Sequence, residues 1–170
     1  MANLALLGGR KIVSEKESLT VPAWPPCDER TAERLKEVYM SGEWSFNSPA
    51  EQQFEQEFAA YHGAKYAVFM ANGTTTLECS LTALGCGAGD EVIVPALTWM
   101  ATALAATYAG AVPVFVDIEP ATLCMNPAKI EAAITPRTKA IIPVHAYGST
   151  ADLEKILAIA DKHGIPVIED

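Results

Sequence analysis

Residues 91–116 read EVIVPALTWMATALAATYAGAVPVFV, and their pattern is the clearest indication of the fold class. Two short runs rich in Val and Ile, Glu91–Val94 and Val112–Val116, flank an Ala- and Thr-rich segment from about Thr98 to Tyr108. Short β-branched runs are typical of strands, and the segment between them is typical of a helix. The pattern predicts a strand–helix–strand unit.

The same stretch must be tested as a membrane span, because residues 92–116 carry no charge. Pro95, Gly110 and Pro113 interrupt it, which argues against one continuous helix. At the start of the chain, apolar Leu4–Leu7 precede Arg10-Lys11, the reverse of the order in a signal peptide. We expect a soluble, cytoplasmic protein with no membrane partner.

Strands and helices continue to alternate outside this stretch. The Val- and Ile-rich strands lack polar alternation, which indicates burial on both faces. The sequence therefore predicts an α/β fold with a mostly parallel sheet and helices on both faces. The further predicted strands are Ala67–Met70, Ala140–Val144 and Pro166–Ile168. The further predicted helices end near Ser41-Gly42 and at Gly63, span about Thr75–Leu84, surround Ile130 and Ala133, and span Leu153–Ala160.

Two regions are expected along the chain. Residues 1–29 hold Pro22, Pro25 and Pro26 without sustained periodicity and are interpreted as an N-terminal arm, either docked at a subunit interface or disordered. Residues 30–170 are the regular domain. The chain stops at Asp170, directly after a predicted strand, and a buried strand is an unusual terminus. We expect the domain to be incomplete and the chain to be the front part of a longer protein.

Composition excludes several classes of function. The chain has 12 Lys and Arg against 21 Asp and Glu, a net charge of −9, which argues against binding nucleic acid. Cys27, Cys79, Cys86 and Cys124 form no C-x-x-C pair and have no His at zinc-ligand spacing. We predict no metal site and reduced cysteines that serve mainly in packing.

In open α/β sheets, ligands collect beyond the carboxyl ends of the strands. Asn72-Gly73-Thr74-Thr75-Thr76 follows a predicted strand and opens a helix, where free N–H groups attract an anion such as phosphate. The alternative is that Thr74 or Thr75 only caps the helix. Neither a P-loop nor a dinucleotide fingerprint is present here.

Three more residues follow predicted strands. Trp99 opens a helix and could lie flat against an aromatic ligand, although core packing is the alternative. Asp170 could hold a protonated ring nitrogen, or cap a following helix. His145 could line the same crevice, or be a hydrogen-bonded structural residue. A phosphate seat, an aromatic wall and a carboxylate for a ring nitrogen together match pyridoxal 5′-phosphate (PLP).

At this point the sequence resembles the DegT/DnrJ/EryC1/StrS sugar aminotransferases, within the fold-type-I PLP-dependent enzymes. The resemblance runs in family order from about Arg30 to the end of the chain. The matching stretches are residues 42–58, Asn72-Gly73-Thr74, Gly89–Pro95, Thr98-Trp99, Pro113–Asp117, Ile134–Lys139, Pro143-Val144-His145 and Pro166–Asp170.

The resemblance implies roles for residues at matching positions. Gly73 and Thr74 would hold the cofactor phosphate, with Thr75 a weaker candidate; Trp99 would stack on the pyridine ring, and Asp170 would pair with its nitrogen. The family's Schiff-base lysine is expected beyond Asp170, so no catalytic residue is expected in this chain. None of its lysines matches that position. The 170 residues alone are expected to be inactive.

Family members are homodimers with the active site at the subunit interface, so residues 44–49 could shape the substrate pocket. Many members have Gly before the Pro, whereas this chain has Asn47-Ser48-Pro49. The family implies transfer of an amino group from glutamate or glutamine to a keto sugar or keto cyclitol. The start Leu6-Leu7-Gly8-Gly9 is compatible with members of antibiotic pathways that act on cyclitols.

Three alternatives remain at this level. Two are enzymes of the same group: a PLP-dependent sugar dehydratase, in which histidine replaces the lysine, and an amino-shikimate-type synthase. The third is a family member that has lost catalysis and serves binding or regulation.

Overall fold

In a computed structural model of the protein, residues 4–10, 22–46 and 48–170 are described. Residues 1–3 and 11–21 of the predicted arm, and Asn47, lie outside this part. The chain forms two compact units, residues 1–67 and 68–170. No helix in the described residues is long and apolar enough to cross a membrane.

The described part of the first unit contains two α-helices, both of which the sequence predicted. Helix α1 spans Glu29–Ser41, begins where the Asp28 side chain accepts a hydrogen bond from Thr31 N–H (2.8 Å), and ends at Gly42 with φ 74°. Helix α2 spans Pro49–Tyr61 and is capped by Ser48. A single 3₁₀ turn at Ala5–Leu7 precedes them.

The second unit is a three-stranded parallel sheet with four helices, which confirms the predicted α/β class. Strand β1 lies in the middle and pairs in parallel with β2 on one side and β3 on the other. The strands are β1 Glu91–Pro95, β2 Val112–Val116 and β3 Thr138–Ile141. The helices are α3 Gly73–Ala83, α4 Met100–Tyr108, α5 Pro127–Ala133 and α6 Leu153–His163.

Successive residues of β1 point to opposite faces of the sheet, and helices cover both faces. Val92 and Val94 pack with residues of α3 and α4, while Ile93 packs with residues of α5 and α6. All three side chains are fully buried. Each contributes about 1.5–3 kcal/mol of hydrophobic stabilisation. The partners from the helices are Leu77, Leu81, Ala105 and Ala106 on one face, and Ile130, Ile156 and Ala160 on the other.

Two strand predictions were wrong in part. Ala67–Met70 is not a strand, and the sheet of the second unit contains only β1, β2 and β3. Burial on both faces holds for β1 but not for β2. Val112 and Phe115 are 56% and 58% exposed because β2 lies at the edge of the sheet.

The predicted strand Pro166–Ile168 is reduced to one parallel bridge, between Val167 and Ile141. Its backbone still follows β3: Ile141 N–H donates to the Pro166 carbonyl (3.1 Å), and Ile168 N–H donates to the Ile141 carbonyl (3.0 Å). Val167 packs on the α5–α6 side and Ile168 on the α3–α4 side. The segment therefore extends the sheet by a fourth, irregular member.

A buried carboxylate ties β1 to the segment before β3. Glu91 is 6% exposed and accepts hydrogen bonds from the Thr135 hydroxyl (2.5 Å), from Arg137 Nε (2.9 Å) and from the Arg137 guanidinium Nη2. Burial of a carboxylate is costly unless such partners replace water. The Thr135 hydroxyl first, and then Arg137, lower the pKa of Glu91 by favouring its charged form.

Replacing Arg137 with Gln should lower the thermal stability at pH 7 by several degrees. A carboxyl whose pKa is lowered by folding contributes stability above its unfolded pKa of about 4.3, and this stability is lost as pH falls through the folded pKa. The difference in Tm between parent and variant should therefore shrink below about pH 4. Thermal unfolding followed by circular dichroism from pH 7 to pH 3 measures it.

Lys129→Gln is the matched control, because it removes an ion pair in which both side chains, Lys129 and Asp117, are more than half exposed. Exposed pairs contribute about 0–1 kcal/mol, so its Tm should stay close to that of the parent. An Arg137→Gln effect of equal size at every pH would contradict the assignment.

Candidate functional site

Two loops, one after β1 and one after β3, meet Asp170 at the carboxyl edge of the sheet. They enclose a cavity of about 330 Å³. Ligand pockets usually measure about 300–1,000 Å³. Its lining includes Leu97, Trp99, Val144, His145, Tyr147 and Asp170.

The position of Asp170 is set by backbone pairing. Its N–H donates to the Pro143 carbonyl (3.0 Å), and its carbonyl accepts from His145 N–H (3.0 Å). These bonds continue the parallel pairing of residues 166–168 beside β3. They place the Asp170 side chain at the carboxyl edge, as the sequence predicted.

Thr102, which the sequence analysis did not single out, holds the Asp170 carboxylate. Its hydroxyl donates to Asp170 Oδ2 at 2.6 Å, and the residue is fully buried. Because Thr102 gives its proton to Asp170, the Thr98 hydroxyl, 2.9 Å away, donates to Thr102. Thr98 and Thr102 are four residues apart, but nothing in the sequence relates either of them to Asp170.

Trp99 lies at the boundary predicted for it, between β1 and α4. It is the N-cap residue of α4, which begins at Met100 rather than near Thr98. Its side chain is 78% exposed and lines the cavity. In the described residues the indole is therefore not a core side chain, which leaves its face available to a ligand.

The residue that caps α3 is not one of the two that the sequence suggested. The cap is Asn72, whose side chain accepts from Thr75 N–H (3.0 Å) and from the Thr75 hydroxyl (3.1 Å), rather than Thr74 or Thr75. The first amides of a helix have no intrahelical acceptor. The Asn72 side chain accepts from the amide of Thr75. Within the described residues, the amides of Gly73 and Thr74 remain without an acceptor.

Gly73 also leaves open space, because a Cβ added there would meet nothing within 4 Å. Free amides beside open space suit a phosphate group. An exposed indole and a carboxylate fixed by Thr102 suit a pyridine ring with a protonated nitrogen. The residues present therefore fit PLP, although Gly73, Thr74 and Thr75 do not line the cavity that contains Trp99 and Asp170.

His145 is held by both ring nitrogens. Its Nδ1 accepts from Ala151 N–H (3.1 Å), so Nε2 carries the proton and donates to Glu169 Oε2 (3.1 Å). His145 is therefore a hydrogen-bonded residue, as one interpretation of the sequence held, and it also lines the cavity.

None of the eight residues that line the cavity is Lys or Arg. Lys155 and Lys162 lie in α6 and pair with Asp152 and Glu131. The hydrogen bond to Asp152 raises the pKa of Lys155. In the described part of the chain, no group of three or more His, Cys, Asp or Glu could hold a metal ion.

Comparison with known proteins gives a family match and close relatives. Residues 25–170 match the DegT/DnrJ/EryC1/StrS aminotransferase family. The L-glutamine:scyllo-inosose aminotransferase of Streptomyces griseus is 46% identical over 175 residues, which cover 99% of this chain and 40% of the relative. The chain thus spans about two-fifths of the length of the curated relatives that it matches.

Solved structures show the same fold. The 3-amino-5-hydroxybenzoic acid (AHBA) synthase superposes with a TM-score of 0.83 and 43% identity, covering 88% of this chain and 39% of that one. NtdA from Bacillus subtilis, solved with bound pyridoxamine phosphate, gives a TM-score of 0.80 and 36% identity, covering 92% of this chain and 38% of its own. The predicted fold-type-I architecture is confirmed. The chain belongs to the DegT/DnrJ/EryC1/StrS aminotransferase family.

Proposed function

We propose that the protein containing this chain is a PLP-dependent aminotransferase that moves an amino group from glutamine to a keto cyclitol. The observation that carries the proposal is the Asp170 carboxylate, fixed by Thr102 in a cavity shared with Trp99. The name of the Streptomyces griseus relative supports the donor and the acceptor class. The cofactor bound in the Bacillus subtilis structure supports the coenzyme.

The residues would divide the work of holding the coenzyme. The amides of Gly73 and Thr74, with the Thr74 hydroxyl, would bind its phosphate, and Thr75 is a weaker candidate because Asn72 already occupies its amide and hydroxyl. Trp99 would cover one face of the ring. When bound, PLP supplies an electron sink for the negative charge left at the Cα of the amino donor.

Asp170 would keep the ring nitrogen protonated, because a fixed negative charge favours the charged form of the neighbouring group. The Thr102 hydroxyl stabilises the carboxylate and fixes its direction. The Thr98 hydroxyl orients Thr102 in turn. The residues we describe would thus bind the coenzyme and orient its ring. We place the lysine that carries the coenzyme beyond Asp170.

We further propose that the protein is a cytoplasmic homodimer. Large apolar side chains of the first unit are exposed, among them Trp44 (60%) and Tyr61 (85%), which supports a covering partner. All four cysteines are free, as is usual in a reducing compartment.

Amino-shikimate-type synthesis is the second candidate, favoured by the likeness to the AHBA synthase. Full-length protein incubated with PLP, glutamine and scyllo-inosose should give the aminated cyclitol in mass spectrometry. An aromatic product from an amino-shikimate substrate, or loss of water without amination, would replace the proposed reaction by one of the alternatives.

Asp170→Asn in the full-length protein should lower kcat by about a thousandfold, because an amide cannot hold the ring nitrogen protonated. The Tm should change little, since the side chain lies at an exposed edge. Steady-state kinetics and thermal unfolding measure both quantities. Asp161→Asn, an exposed carboxylate in α6 outside the cavity lining, is the control and should retain full activity. Near-normal turnover of Asp170→Asn would refute the role.

Thr102→Val keeps the shape of the side chain but removes the hydroxyl that donates to Asp170. Hydrogen bonds to charged groups contribute about 1.5–3 kcal/mol, so kcat should fall about 10- to 100-fold, with KM unchanged. Thr102→Ser should recover most of it. Thr107→Val is the control, because Thr107 lies in the same helix and its hydroxyl donates to the Ala103 carbonyl rather than to Asp170. If Ser and Val behave alike, Thr102 acts through packing alone.

A further inference from the structure

Tyr147 has a backbone conformation that a tyrosine rarely adopts. Its φ is 51°, and that of the following Gly148 is 83°. Ser149 N–H donates to the Ala146 carbonyl (2.8 Å), which closes a tight turn with both central residues in the left-handed region. Such turns favour Asn, Asp and Gly at these positions, and a side chain as large as tyrosine is strained there.

The side chain of Tyr147 does not account for this conformation. It is 81% exposed and makes no hydrogen bond or ring contact within the described residues. Its neighbours are well anchored: His145 is bonded through its backbone and both ring nitrogens, and Ala146 is buried. The loop therefore fixes the backbone of Tyr147 without using its side chain.

The side chain of Tyr147 lies at the cavity of the candidate site. Tyr147 lines it together with Trp99 and Asp170, and the two aromatic residues come from different loops. Strained residues collect at functional sites, where the strain is retained for what the side chain does. Here the side chain offers an aromatic face and a neutral hydroxyl.

The chemistry of the lining selects among ligands. The carboxylate of an amino acid needs a cationic partner, and the described residues that line this cavity offer none, because they include no Lys or Arg and Asp170 adds a negative charge. A neutral ring that carries hydroxyl groups fits better. Its hydroxyls can pair with the phenol, while Trp99 stays against the coenzyme ring.

We propose that Tyr147 determines specificity for the acceptor, by hydrogen bonding between its phenol and a hydroxyl of a polyhydroxylated cyclic ketone. The amino donor does not use it. This inference rests on the function proposed above and extends it to one residue. Asn or Gly would relieve the strain of the turn but could not supply the phenol.

Two variants of the full-length protein test the proposal. Tyr147→Phe removes only the hydroxyl and should raise the KM for scyllo-inosose about tenfold, with the KM for glutamine and the Tm unchanged. Tyr147→Asn should raise the same KM at least as much. It should also raise the Tm by about 1–2 °C, because Asn tolerates the left-handed region. Tyr108→Phe, an exposed tyrosine outside the cavity lining, is the control.

Binding of scyllo-inosose measured by calorimetry separates this inference from the proposed function. If amination occurs and Tyr147→Phe leaves the KM for the ketone unchanged, the role of Tyr147 is refuted and the function stands. If no amination occurs but Tyr147→Phe weakens ketone binding about tenfold, the function is refuted and the role stands. A lower Tm in Tyr147→Asn would mean that the ring packs against another part of the protein, and absence of ketone binding to the parent would overturn both.

Discussion

Two backbone hydrogen bonds at the end of the sheet, from Asp170 N–H to Pro143 and from His145 N–H to Asp170, set where the carboxylate of the site stands. They exist because residues 166–168 run parallel to β3, and that pairing also divides Val167 and Ile168 between the two cores. A slip of one residue would turn the carboxylate to the opposite face. The contact with Thr102 depends on this register.

Hydrophobic periodicity was sufficient to predict all six α-helices and the parallel pairing of the three regular strands. It also placed Trp99 and Asp170 at one edge, because parallel strands all end on the same side of a sheet. Pairing is a property of neighbours, however. The residues of Ala67–Met70 and of β2 do not themselves show how many strands lie beside them. The prediction of a strand at Ala67–Met70 and the prediction that β2 is buried on both faces were therefore wrong.

The finer features of the site depend on atoms distant in sequence. Thr102 meets a carboxylate 68 residues further along the chain, and a single threonine in a helix gives no sign of that. Asn72 competes with three hydroxyl residues for the same helix start, and only backbone geometry shows which one caps it. The left-handed conformation of Tyr147 belongs to the turn that Ser149 N–H closes on the Ala146 carbonyl.

The separation of 68 residues between Thr102 and Asp170 has a consequence for the order of folding. Apart from Ala140, Ile142 and Ile168, the hydrophobic face shared by α3, α4 and β1 is made of residues up to Ala111. The carboxylate joins only when residues 166–170 dock beside β3, and closing such a long loop is slow compared with forming local contacts. The Thr102 hydroxyl therefore meets its acceptor only after the local contacts around α3 and α4 have formed.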